Sequence, residues 1–114
     1  MTHDVIYLGH IADAINAIER YLEGISYEKF FDDQKTLDAV VRELEIVGEA
    51  ANHLSQEFRN AHPDIPFMEM IGMRNKIIHE YIGVNTKIVW DTCKANLPSL
   101  KGMITSILKN VERQ

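Results

Sequence analysis

A chain of 114 residues, 46% apolar and 25% charged, fits one folded domain, residues 1–114, and excludes intrinsic disorder. No apolar run approaches the roughly 20 residues a bilayer crossing needs, so no membrane span is expected. The net charge of −5 argues against a protein that coats nucleic acid through bulk positive charge, and DNA is not an expected partner.

The charge is unevenly spread. Residues 1–50 carry eleven acids against four bases, a net −7, and residues 51–114 carry six acids against eight bases, a net +2. A local basic surface in the second half remains compatible with these numbers.

Met1-Thr2-His3-Asp4 leads straight into an amphipathic pattern, without the basic start and apolar stretch of a signal peptide, which predicts a cytoplasmic protein. Leu8, Ile11, Ile15, Ile18 and Leu22 step by three and four and define a first helical stripe, stopped by Gly24. Ser26 to Phe31 reads as a connector with one short helical turn, whose adjacent Phe30 and Phe31 plug the end of a core.

Asp32 or Asp33 caps a second helix with the stripe Leu37, Val40, Val41, Leu44, Val47, Ala51 and Leu54, expected to run to Arg59 or Asn60. Gly48 inside it costs about 1 kcal/mol relative to Ala and predicts a kink or a close helix approach. His62-Pro63-Asp64-Ile65-Pro66 is a clear break, and Pro66 suits the first position of a third helix carrying Phe67, Met70, Ile71, Arg74, Ile77, Ile78 and Tyr81, ended by Gly83.

Asn85 or Thr86 caps a helix with Ile88, Val89, Trp90 and Cys93, and Pro98 restarts the chain for a last helix with Leu100, Met103, Ile104, Ile107, Leu108 and Val111. No alternating β-branched run flanked by turn signals suggests a strand. The expected fold is all-α, an antiparallel up-and-down bundle of four to five helices.

Few residues suggest chemistry. Cys93 is alone, so a disulfide within the chain is excluded, and it reads as a small buried apolar side chain. His3, His10, His53 and His62 lack metal-ligand spacing, and no metal site is expected. Met68, Met70 and Met73 are assigned to gaps in the core or an interface.

The third helix is different. At 100° per residue, Arg74 and Tyr81 lie about 20° apart on one face and Asn75 and His79 about 40° apart on an adjacent one. Arg74 and His79 are separated by about 140°, so both reach one substrate atom only if something else brings them together. A two-fold contact of this helix with its own copy would do so. Taken alone, His79 is equally a cation at a helix C-terminus, Arg74 a snorkelling side chain, Asn75 a solvated surface residue and Tyr81 a half-buried aromatic.

Arg74-Asn75-x-x-x-His79-x-Tyr81 resembles the R-x(4–6)-H signature of the HEPN superfamily, in the R-x4-H-x-Y form of its HepT branch. Val47-Gly48-Glu49-Ala50, Leu54-Ser55-Gln56-Glu57-Phe58, His62-Pro63-Asp64-Ile65-Pro66, Gly72-Met73-Arg74-Asn75, Trp90 and Pro98 match the same branch. Phe67 stands where the family often has Trp, and Val47 where Ile is common; both keep an apolar role.

The resemblance implies a HEPN-like homodimer that acts as a metal-independent endoribonuclease toxin of a type VII-like toxin–antitoxin system, cleaving tRNA or mRNA without a cofactor of its own. Arg74 and His79 would be catalytic, with Asn75 supporting them and Glu49 reaching the site or orienting Arg74. The RNA 2′-hydroxyl supplies a nucleophile, His79 suits proton transfer near neutral pH, and Arg74 suits the developing phosphorane charge. Tyr81 would accept adenylyl groups from ATP, placed by a cognate MntA-like nucleotidyltransferase antitoxin. The alternative is a non-catalytic HEPN module that binds nucleotide or scaffolds a nucleotidyltransferase.

Overall fold

The first apolar stripe forms α1, Thr2–Leu22, with Leu8, Ile11, Ile15 and Ile18 almost completely buried. The computed structural model describes residues 2–79 and 85–112, and the side chains of residues 3–76 and 85–111. Gly24 ends α1 at φ +72°, a left-handed conformation glycine adopts without steric cost, as its position predicts.

Ser26 caps α2, Tyr27–Phe31. Of the two adjacent aromatics expected to plug the core, only Phe30 does so, at 0% exposure; Phe31 is 62% exposed. One turn of helix turns consecutive side chains about 100° apart, too far for both to enter one core.

Asp33 caps α3, Gln34–His53: its carboxylate accepts hydrogen bonds from the Thr36 amide at 3.0 Å and the Thr36 hydroxyl at 2.6 Å. The Thr36 hydroxyl and amide hold the Asp33 carboxyl below its usual range. Val40, Val41, Leu44, Val47 and Ala51 are buried along α3, which packs between α1 on one side and α5, Phe67–His79, on the other.

The expected single helix to Arg59 or Asn60 is instead interrupted. Leu54 is extended, and Ser55 caps a separate short helix α4, Gln56–Ala61. The cause lies 51 residues away: buried Asp4 accepts from the Ser55 amide at 2.8 Å and the Ser55 hydroxyl at 2.7 Å, while Ser55 Oγ accepts from the Phe58 amide at 3.0 Å. Arg59 then bends back, its Nη2 donating to the Asn52 carbonyl and to the Ala51 carbonyl, which also accepts from the Leu54 amide at the end of α3.

The expected restart at Pro98 also takes another form. Asn85 caps α6, Thr86–Asp91, whose backbone passes through a widened π-helical turn, Thr92–Asn96, directly into α7, Leu97–Glu112. The Leu97 amide reaches back five residues to the Thr92 carbonyl. Pro98 offers no amide, and its ring would strike a carbonyl four residues back in a regular helix; the wider turn absorbs both effects without breaking the rod.

Leu100 and Ile104 bring α7 against α1, where Lys101 Nζ also meets Glu19 Oε1 at 2.6 Å. The all-α bundle expected from the sequence is the observed fold, and among the described residues no strand occurs. No described helix is long and apolar enough to cross a membrane. Ile88, assigned to a core stripe, is 42% exposed, as is Met68 at 70%; Val89 and Met70 take the inward positions instead.

Among the described glycines, only Gly48 marks a close approach, between α3 and α5. A Cβ placed on Gly48 would sit 2.1 Å from Arg74 Cβ, 2.8 Å from Arg74 Cγ and 2.9 Å from the Met70 carbonyl oxygen. These atoms are near or on the α5 backbone, so no rotamer change relieves the clash. Of the two outcomes predicted for Gly48, the close approach is the one the structure carries.

Replacing Gly48 with Ala should therefore destabilise the fold by about 1–3 kcal/mol, because overpacking outweighs the roughly 1 kcal/mol of helix propensity that Ala adds. Urea unfolding of G48A is the check, and a stability equal to or above that of the unmodified chain would contradict the packing described.

Candidate active site

Two short-range features aim α5. Ile65 and Phe67 are buried at its start, and the Met70 amide bonds to the Pro66 carbonyl at 3.1 Å, so the helix leaves the 62–66 loop in a fixed direction. Met70 and Arg74, four residues apart, then share the face that meets Gly48.

Arg74 is consequently anchored at its root. Its Cβ and Cγ fill the space that Gly48 leaves on α3, and the side chain as a whole is half-buried. Further out, Nη1 donates to Asn75 Oδ1 at 3.1 Å. Nε is buried and has no hydrogen-bond partner among the described residues. A guanidinium carries five donors in a fixed fork, and burying one unpaired costs free energy.

Asn75 is exposed, and its amide oxygen engages Arg74. That bond makes Asn75 an orienting group for the neighbouring cation. Lys76 is exposed as well, but two residues on it projects about 160° away from Arg74, on the other side of α5.

His79 is the last residue of α5, and its side chain lies outside the described residues. The backbone is helical from Phe67 to His79, so the angular separation of about 140° between Arg74 and His79 applies to the folded chain. Tyr81 and Gly83 lie outside the described residues altogether.

Glu49 sits elsewhere. It is exposed and lines a groove between α1 and α3 with Tyr7, His10, Ile46, Ala50 and His53, and no hydrogen bond or ion pair joins it to Arg74. Tyr7 stacks on His53 with centroids 5.0 Å apart, and His10 meets Tyr7 edge-on at 5.8 Å. His10 and His53 are far apart in sequence and reach one groove only through the packing of α1 on α3. Among the described residues no His, Cys, Asp or Glu group converges as metal ligands do.

Cys93 is 7% exposed, and burial pushes its thiol up to about 12. A thiol so rarely ionised at neutral pH is a poor nucleophile. The chemical interest of the described surface therefore concentrates on Arg74 and Asn75.

Comparison with known proteins bears on the same helices. The family model described as "Ribonuclease HepT-like" matches residues 11–107, nearly the whole bundle. A protein of Thermococcus cleftensis named "Probable ribonuclease HepT" is 46% identical over 103 residues, covering 90% of this chain and 94% of its own. Proteins of Caldanaerobacter subterraneus and Methanocaldococcus jannaschii, each provisionally named an RNase, are 43% and 37% identical; the matches cover 90% and 93% of this chain and 92% and 88% of theirs. No solved structure matches significantly. On the extent of the family match and these identities, the chain belongs to the HepT-like ribonuclease family.

Proposed function

We propose that this protein is an RNA endonuclease in which Arg74 and His79 act on one phosphodiester at a site shared by two copies of the chain. The observation that carries the reading is Arg74: a half-buried cation wedged at its root against Gly48 and oriented further out by Asn75. Phosphate oxygens are the natural acceptors for such a fork. The named relatives support the substrate class.

The chemistry needs few groups. The 2′-oxygen of the RNA attacks the adjacent phosphorus, the bond to the 5′-oxygen breaks, and a cyclic phosphate and a 5′-hydroxyl result. His79, whose unperturbed pKa of about 6.5 lies near neutrality, exchanges a proton with the reacting oxygens. Arg74 stabilises the charge that builds on the phosphoryl oxygens, and Asn75 holds the guanidinium in position. This route uses the substrate's own nucleophile and calls on no metal or cofactor.

A separation of about 140° around α5 keeps Arg74 and His79 of one copy from facing the same phosphate. A two-fold contact through α5 pairs Arg74 of one copy with His79 of the other.

The resemblance extends the reading to regulation. Tyr81, two residues beyond His79, is the acceptor for adenylyl groups transferred from ATP by an MntA-like nucleotidyltransferase. An adenylyl group adds bulk and negative charge, which oppose the binding of an RNA phosphate. In this reading the protein is the toxin of a type VII-like pair that acts in the cytoplasm on tRNA or mRNA, with the nucleotidyltransferase as antitoxin.

Arg74→Ala and His79→Ala should each keep helical circular dichroism while losing at least about a hundredfold in RNA cleavage, the scale expected for removing a transition-state cation or a proton-transfer group. Cleavage within tenfold of the unmodified chain in either variant would contradict the assignment. Incubation with the cognate nucleotidyltransferase and ATP should add AMP mass to the unmodified chain and none to Tyr81→Phe; an undiminished adduct on Tyr81→Phe would move the modification elsewhere.

A further inference from the structure

The groove between α1 and α3 holds groups that the proposed reaction does not use. Tyr7, half-buried, stacks on His53 with centroids 5.0 Å apart, and His10 stands edge-on to Tyr7 at 5.8 Å. His10 and His53 are exposed. Glu49, one helical turn before His53 on α3, is exposed too and has no hydrogen-bond or ion-pair partner among the described residues. The groove offers a cavity of about 310 Å³, and no described Lys or Arg lines it.

We infer that this groove is a base-binding subsite, in which His10 and His53 stack an unpaired nucleobase and Glu49 selects guanine, next to the phosphate held by Arg74. The inference rests on the ribonuclease reading above and adds to it a preference for sequence.

The Gly48 contact fixes the placement. Although Glu49 makes no bond to Arg74, their roots are close, because a Cβ on Gly48 would lie 2.1 Å from Arg74 Cβ. Consecutive Cα atoms are about 3.8 Å apart, so the Glu49 Cα lies at most about 7.5 Å from Arg74 Cβ. The flank is the same as well. Val47 and Met73, each one residue before a residue of this seam, line a cavity on one side of it. Glu49 and Asn75, each one residue after, turn about 200° from them to the other side. The Arg74 guanidinium leans that way, since its Nη1 donates to Asn75 Oδ1. A strand with one phosphate on Arg74 therefore meets the groove by crossing α3 alone.

The chemistry separates base from backbone. An unpaired carboxylate with no Lys or Arg beside it repels phosphate, so the strand presents a base here. Unpaired RNA bases are read by stacking on aromatic side chains, histidine among them, and by hydrogen bonds along their pairing edge. A carboxylate only accepts, through two oxygens. Guanine alone of the four bases sets two donors side by side on that edge, its N1–H and its 2-amino group. Adenine and cytosine offer an amino group beside a repelling ring nitrogen, and uracil one N–H between two carbonyls. The stack on Tyr7 holds the His53 ring before RNA arrives, which limits the freedom lost on binding.

The test compares the unmodified chain with Glu49→Gln and His53→Ala, both at exposed positions, with folding checked by circular dichroism. The substrates are short single strands carrying 2′-O-methyl groups at every ribose but one, with guanine or inosine on both sides of that ribose. Inosine lacks only the 2-amino group. The unmodified protein should cut the guanine strand with kcat/KM about tenfold above the inosine strand, the scale of one hydrogen bond to a charged group. Glu49→Gln, which exchanges one acceptor for a donor, should bring that ratio to one or below. His53→Ala should lower kcat/KM on both strands about tenfold, chiefly through KM, by loss of a stacking ring.

A ratio unchanged in Glu49→Gln, whether or not overall cleavage falls, or absent from the unmodified protein, would overturn the subsite and leave the ribonuclease reading intact. Unmodified protein that cuts neither strand, nor the same sequences with every 2′-hydroxyl free, would overturn both.

Discussion

Where α5 meets α3, a missing side chain sets the geometry on which the rest of the molecule depends. Gly48 lets the two backbones come so close that Arg74 Cβ occupies space a methyl group would claim. Arg74 is thereby fixed before any substrate arrives, and its charge is held near the surface without an ion-pair partner among the described residues. A cation positioned during folding needs no reorganisation when charge develops on a phosphate.

The remaining devices serve that contact. Asp4 ties α1 to the α3–α4 break, fixing α4 and so the loop from which α5 departs. The π-helical turn lets one rod, from Thr86 through α7, lie against the bundle despite Pro98. The uneven charge takes on meaning in this frame. The acidic first half supplies much of the scaffold, while Arg74, the cation of the proposed reaction, comes from the more basic second half.

Much of the architecture was legible because it is local. The stripes of α1 and α3, the Gly24 stop, the Asp33 cap and the Asn85 cap depend on residues a turn apart. Departures arise where a distant partner decides. Ser55 is of a type that caps helices, but the acceptor that captures its amide and fixes the break is Asp4, 51 residues away. Phe31 and Ile88 read as core by type, yet they lie on the outward sides of short helices whose inward places belong to Phe30 and Val89. Pro98 carries a strong break signal that a wider turn neutralises. Arg74 and Asn75 were legible as residue types, but their hydrogen bond and the Gly48 wedge were not, and the histidine–tyrosine groove needed the α1–α3 packing to exist.

The central claim is that each site takes Arg74 from one copy and His79 from the other, and complementation tests it most directly. Arg74→Ala and His79→Ala proteins, each inactive alone, are unfolded together, refolded at equal amounts and assayed for RNA cleavage. A shared site predicts recovery of about a quarter of the unmodified activity, because half of the random dimers are mixed and each carries one intact site of two. Activity that stays at the level of the separate variants, in a sample shown to contain mixed dimers, would contradict the shared site.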